Sequence, residues 1–249
     1  MTYPYKVIIP ARYAATRLPG KALEDIAGKP LLQHVYETAV NSRAESVIIA
    51  TDDVRIGDCA RDFGAEVIMT SGEHTSGTER LAEAVETTGE TDNSIIVNLQ
   101  GDEIGMPGEL LDQVADLLSV DDNRKMATLC EVLDDETAFH DPNIVKVVFD
   151  QNGVALYFSR APIPWPREPG IHECYRHIGL YAYRVGFLKE FRRMQKPSLE
   201  IIESLEQLRA LYYGENIYID IARVKPGHGI DTPGDLARAR KLYTSASQT

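Results

Sequence analysis

Three cations, Arg12, Arg17 and Lys21, and no anion occupy residues 10–23 of a chain whose formal net charge is −12. They follow an apolar run at 5–9 that reads as a buried first strand. Positive charge gathered just past the carboxyl end of a strand, on a stretch broken by Pro10, Pro19 and Gly20, suits a polyphosphate. Gly20-Lys21 invites comparison with a P-loop, but the first glycine of GxxxxGK(S/T) is missing and Ala22 stands at the hydroxyl position. Arg12, Arg17 and Lys21 would instead grip triphosphate oxygens through their side chains, with Gly20 permitting close approach; a solvated basic loop is the plainer reading of the same residues.

Acidic groups that would complement this loop occur at two places. Residues 97–103, Val-Asn-Leu-Gln-Gly-Asp-Glu, read as a buried strand ending in glycine and two carboxylates. Asp102 suits magnesium, which takes oxygen ligands and bridges carboxylate to phosphate. A turn with solvated acids is the plainer reading of the same residues. Asp231, ahead of Thr232-Pro233, is a second candidate, although helix capping alone would explain an acid or threonine there. The two acids are remote in sequence, so only the fold can bring them together.

Ser76-Gly77-Thr78-Glu79-Arg80 opens a helix whose small residues would let a flat ligand such as a base edge approach. A simple cap by Ser76 or Thr78 explains those residues equally well. His177, Gly179, Tyr181 and Tyr183 fall on one face of an alternating strand. No Ser/His/Asp or Cys/His order suggests a nucleophile, and the histidines lack HExxH spacing.

These positions need a scaffold. Strand-like runs at 7–9, 47–50, 67–69 and 95–99 alternate with helical spacing at 30–40, 54–63 and 78–87. That alternation predicts an α/β fold with a parallel sheet covered on both faces and a ligand beyond the strands' carboxyl ends. In the second half, 126–132, 145–149 and 155–159 read as strands, with a hairpin turn at 150–153. Pro162, Pro164, Pro166 and Pro169 mark an extended segment. A helix is predicted at 203–213, a strand at 217–222 and a closing helix at 233–243 with Thr232 as N-cap. Without repeats or a long linker, 1–249 reads as one α/β domain with a β-rich insertion.

Composition narrows the function. A pI near 5.0 argues against nucleic-acid or anionic-membrane binding, which draw on surplus Lys and Arg. No run of 18 apolar residues and no signal-peptide pattern occur. Cys59, Cys130 and Cys174 are widely spaced and outside any CxxC, as expected for free thiols in a reducing cytoplasm.

Together the segments resemble one family, the 3-deoxy-manno-octulosonate (KDO) cytidylyltransferases, or CMP-KDO synthetases. The match is collinear: IIPARYAATRLPGKAL at 8–23, ATDD at 50–53, MTSGEHTSGTERLAE at 69–83 and VNLQGDE at 97–103. It continues with YFSRAPIPWPRE at 157–168, HIGLYAYR at 177–184, LEQLRALYYGE at 205–215 and GIDTPGDLARAR at 229–240. The resemblance implies a Rossmann-like nucleotidyltransferase fold with a mostly parallel central sheet flanked by helices. It also implies transfer of CMP from CTP to KDO with release of pyrophosphate, by in-line attack assisted by Mg²⁺, for lipopolysaccharide synthesis. Carried over, Arg12 and Lys21 would hold the CTP phosphates, and Ala11, Ser76, Gly77, Arg80 and Gln100 would surround cytosine and ribose. Asp102 and Asp231 would ligate the metal, and Arg160, His177, Tyr181, Glu206 and Gln207 would line the sugar pocket. A homodimer is implied, with 126–200 supplying sugar-binding and subunit contacts. An amino-substituted KDO, sialic acid or a non-catalytic nucleotide-binding role stay open as alternatives. Residues 104–107, Ile-Gly-Met-Pro, depart from the family's Pro-Leu-Ile-Pro, and the glycine predicts a looser loop beside Asp102.

Overall fold

In the computed structural model, residues 3–14, 18–74, 76–168 and 173–246 are described. Arg17 and Pro169 lie outside them. Strands β1 (Tyr5–Ala11), β2 (Ser46–Thr51), β3 (Glu66–Met69) and β4 (Ile95–Asn98) form the parallel centre of a nine-stranded sheet among the described residues. Strands β5 (Met126–Val132), β6 (Lys146–Phe149), β7 (Ala155–Ser159), β8 (Tyr175–Arg184) and β9 (Ile217–Ile221) complete it. The path runs β7-β6-β8-β4-β1-β2-β3, with β5 joining β8 to β9. Beyond β4 the sheet turns antiparallel through β8, so the mostly parallel centre carries a mixed extension.

Alternation along β1 explains why both faces are covered. Val7, Ile9 and Ala11 enter one core with α1 (Leu31–Val40), α2 (Val54–Asp62) and α4 (Gly108–Ser119). Ile8, Ile48 and Ile96 enter the opposite core with α3 (Gly77–Thr87) and the helices Val185–Phe191 and Leu208–Tyr212. A period of two with apolar residues at both parities requires a cover on each side.

The chain passes from β1 outward to β2 and β3, then returns to place β4 on the other flank of β1. Loops after β1 and β4 therefore diverge and open a crevice at the carboxyl ends, the position at which such sheets bind ligands.

Most predicted elements fall within a residue or two of their observed ends. The hairpin at 150–153 forms, with Asp150 Oδ1 accepting from Asn152 N and Val154 N at 2.8 Å each. Thr232 caps the last helix, Pro233–Ala246, in a reciprocal box with Asp235: Thr232 N donates at 2.8 Å and Asp235 N donates back at 3.2 Å. The helix predicted over 203–213 is a correction. It is broken into Ser198–Glu203 and Leu208–Tyr212, because Ser204 turns left-handed at φ 50. Across that break the fully buried Arg209 pairs with Glu200 at 2.6 and 2.7 Å, a tertiary gain that local helical spacing does not encode. Helix α4 had no counterpart among the predicted elements.

Candidate active site

The crevice is lined by the carboxyl end of β1 (Pro10, Ala11) and Arg12 just beyond it, by Leu18, Lys21 and Ala22, and by the amino end of α3 (Ser76, Gly77, Arg80). Gln100, Gly101, Asp102, Asp231 and His74 close it. All predicted nucleotide residues thus converge on one cleft, including the two acids remote in sequence.

Lys21 is the centre of its charge. The Lys21 ammonium donates to Asp102 Oδ2, to Asp231 Oδ1 at 3.0 Å and to the carbonyl of Ile230 at 3.1 Å. Burial disfavours its charge, but Asp102 and Asp231 outweigh this and hold its pKa above the ordinary lysine value. Beside them, burial pushes the Glu103 carboxyl up to about 7, with Asp102 and Asp231 adding to the rise.

A backbone frame sets the two acids. Ile230 N donates to the carbonyl of Asp102 at 2.9 Å, and residues 103–104 pair antiparallel with 228–229. The 104–107 loop differs from the looseness its sequence predicts. Ile104 and Met106 are buried anchors, and Gly105 sits at φ +72, a conformation that favours glycine. Gly227 closes the frame: a Cβ there would lie 2.3 Å from the Ile104 carbonyl oxygen and 2.6 Å from Met106 N. Gly227→Ala must therefore push the Asp102 and Asp231 segments apart. The expected result is a kcat reduced about 10-fold or more, checked by pyrophosphate release; unchanged turnover would show that the separation is not critical.

The start of α3 serves two purposes. Ser76 Oγ accepts from Glu79 N at 3.1 Å, so the capping role is real, while Ser76 and Gly77 also face the cleft. Arg80 is buried and held by Thr70 Oγ1 and by Asp52 Oδ1, the latter at 3.1 Å. Asp52 in ATDD, and His74, whose Nε2 meets Glu83 Oε2, are site-shaping residues that the sequence reading passed over. Nothing in local spacing links Asp52 to Arg80.

Most of the residues expected at the sugar form a second group. Along β8 the His177 ring meets Tyr181 at a tilt, centroids 5.3 Å apart, Tyr181 stacks on Tyr183 at 5.6 Å, and Phe158 meets His177 edge-on at 5.1 Å. Burial raises the Tyr181 and Tyr183 hydroxyl pKa values, and the Glu206 carboxylate adds to both. Glu206 accepts from Thr78 Oγ1 on α3, which ties this group to the nucleotide cleft. Gln207 is buried next to it. Arg160 stands differently: its guanidinium donates to the carbonyls of Glu203 (2.7 Å), Pro142 (2.9 Å) and Ser204 (3.4 Å). Among the described residues no hydrogen bond or ring contact joins Arg160 to His177 or Tyr181.

Burial pulls the His177 pKa down to about 3, so the ring is neutral near pH 7. Thr128 Oγ1, 3.1 Å from His177 Nε2, has two backbone carbonyls at 3.0 and 2.8 Å for its single proton. Donation to either carbonyl would leave Nε2 to carry the imidazole proton and Nδ1 as an acceptor. Folded at about 3 and unfolded at 6.5, this imidazole contributes stability that is complete above pH 6.5. As pH falls from 6.5 toward 3 the unfolded chain takes up the proton first, and the contribution is lost. In urea melts across that window, His177→Gln is expected to lose less stability than the parent; equal slopes would reject the neutral imidazole.

Residues 6–217 match the protein family described as cytidylyltransferase. The chain belongs to this family. It is 48% identical to the 3-deoxy-manno-octulosonate cytidylyltransferase of Hahella chejuensis, aligning 98% of the chain with 99% of that protein. The corresponding protein of Thioalkalivibrio sulfidiphilus is 51% identical, with 96% and 98% covered. A solved CMP:2-keto-3-deoxy-manno-octonic acid synthetase complexed with CTP superposes with a TM-score of 0.91 at 39% identity, covering 98% of this chain and 99% of that one. A nucleotidyl transferase from Methanothermobacter thermautotroptrophicus, 13% identical with a TM-score of 0.63, shares the fold. No helix of the described residues is long and apolar enough to cross a membrane.

Proposed function

We propose that this chain transfers CMP from CTP to 3-deoxy-manno-octulosonate, giving CMP-KDO and pyrophosphate, the activated sugar being destined for lipopolysaccharide. The observation that carries the reading is the juxtaposition of the Lys21–Asp102–Asp231 cluster with the α3 start, whose Thr78 bonds Glu206, the carboxylate whose charge acts on Tyr181 beside His177. Support also comes from the relatives bearing that activity in their names and from the similar synthetase complexed with CTP.

The donor set fits magnesium. Two carboxylates from separate segments share one cation, the Lys21 ammonium, and so form a pair that favours positive charge. Among the described residues no three His, Cys, Asp or Glu side chains gather as a metal cage. Magnesium does not require one, since phosphates and water complete its shell. Asp102 and Asp231 would hold the ion, which when bound neutralises phosphate charge and lowers the pKa of a coordinated hydroxyl.

The chain's own groups do the rest. Lys21 turns from its carboxylates to the phosphate oxygens, and exposed Arg12 meets them at the rim. Gln100 and the backbone at Ala11 and Gly77 read the base and ribose, with Arg80 held beside them. Glu206 and the His177 Nδ1 accept hydrogen bonds from sugar hydroxyls. The sugar hydroxyl attacks the α-phosphorus in line, so the bond to pyrophosphate breaks as the new ester forms, with no covalent enzyme intermediate. In this reading 1–249 works as one domain, with 126–200 supplying Arg160, His177, Tyr181 and the subunit contacts of a homodimer. Exposed Trp165 suits such a contact, and the wide spacing of Cys59, Cys130 and Cys174, outside any CxxC, suits the cytoplasm.

The test is pyrophosphate release with CTP, Mg²⁺ and a panel of KDO, 8-amino-KDO and sialic acid. Release that depends on KDO is expected. No release with any sugar would overturn the enzyme reading, and preference for another panel member would reassign the substrate.

A further inference from the structure

We infer that Thr78 is a positioning residue that couples the nucleotide and sugar-acid halves of the site by fixing the Glu206 carboxylate to the start of α3. The inference rests on the proposed reaction, in which Glu206 faces the sugar.

Thr78 lies in the first turn of α3, between Gly77 and Arg80, both of which line the nucleotide cleft. Its own side chain is directed elsewhere: it is buried, and its hydroxyl donates to Glu206 Oε2. The other oxygen of Glu206, Oε1, accepts from Arg209 Nη2 at 3.4 Å. Arg209 is in turn fixed by two bonds to Glu200, at 2.7 and 2.6 Å, and is 1% exposed. One carboxylate is therefore held between two elements. Arg209 ties it to its own helix, and Thr78 ties it to the helix that meets the nucleotide.

A carboxylate held at each oxygen by one donor keeps lone pairs for further donors, such as sugar hydroxyls, while its plane can no longer rotate. A shift of the α3 start when CTP seats against Ser76, Gly77 and Arg80 must move Thr78, and with it Glu206. Coupling of this kind is reciprocal, so CTP would tighten sugar-acid binding by the factor with which the sugar acid tightens CTP binding. Thr78 need not touch either substrate.

Thr78→Val keeps the shape and removes the donor; Thr78→Ser restores the donor. Calorimetry with a non-hydrolysable CTP analogue and with KDO, each alone and after saturation with the other, measures affinities and coupling. Pyrophosphate release gives KM and kcat, and circular dichroism with thermal melts reports folding. For Thr78→Val the expected result is a KM for KDO raised about 10-fold, the loss expected for a hydrogen bond to a charged group. Affinity for the CTP analogue alone stays as in the parent, the coupling factor falls toward one, and Thr78→Ser recovers both KM and coupling. Parental KM and coupling in Thr78→Val would overturn the inference. So would equal losses of CTP and KDO affinity without rescue by serine, which mark a merely structural role. If the parent itself releases no pyrophosphate with KDO, the proposed reaction fails instead. The CTP-analogue titrations with each sugar acid of the panel then decide the coupling separately: a factor of one in the parent rejects it.

Discussion

Asp102→Asn is expected to lower kcat by about 10²–10³-fold while leaving the fold intact, the scale of losing one fixed electrostatic group at a reacting centre. The fold survives because the structural contact of Asp102 is made by its backbone: its carbonyl, not its side chain, accepts from Ile230 N. The side chain's partner is the Lys21 ammonium, and an asparagine amide presents the same shape without the charge. In the proposed reaction that charge helps to hold magnesium against the phosphates, so its loss acts on the transition state more than on CTP capture. Pyrophosphate-release kinetics over a range of Mg²⁺ separate the two. A near-parental kcat would reject Asp102 as an essential group, and a defect fully rescued by added Mg²⁺ would confine its role to metal affinity.

Lys21→Met is expected to reduce kcat/KM for CTP by about 10²–10³-fold, since in the proposed reaction its ammonium meets the CTP phosphates. It has a second, opposite-signed consequence. In the free protein the Lys21 ammonium satisfies Asp102 and Asp231 together, and Glu103 adds latent negative charge beside them. Without it, the two part-exposed carboxylates lose the cation between them and repel each other, and the free protein should melt at lower temperature. A divalent cation then replaces the missing charge, so Mg²⁺ or Mn²⁺ without nucleotide should raise the melting temperature of Lys21→Met more than that of the parent. Equal metal-induced shifts would show that the ammonium and the metal do not share these carboxylates.

The two substitutions probe a cluster whose members were each visible in the sequence, though their meeting was not. Lys21 stood out as a cation beyond a strand in an acidic chain, and Asp102 as a carboxylate after a buried strand and glycine. Both rest on local order, which a parallel α/β pattern exposes well, because strand ends and ligand sites coincide. Asp231 was weaker: Thr232 and Asp235 do form the capping box that would have explained it away. Only the pairing of 103–104 with 228–229 brings it to Lys21. The broken helix at Ser204 and the roles of Asp52 and Thr78 escaped because each depends on a specific polar pairing, Arg209 with Glu200, Asp52 with Arg80 and Thr78 with Glu206, and hydrophobic periodicity carries no information about such pairs.

By itself the sequence determined the alternation of strands and helices, the buried first strand, the charged loop after it and the family to which these motifs point. Those features depend on near neighbours and on spacing. The tertiary structure alone decided which charges neutralise one another. Lys21 bridges two acids, Arg209 bridges Glu200 and Glu206, and Thr78 crosses from one half of the site to the other. A buried charge persists only where a partner meets it at bonding distance, and that distance is set by the packed sheet rather than by the order of residues.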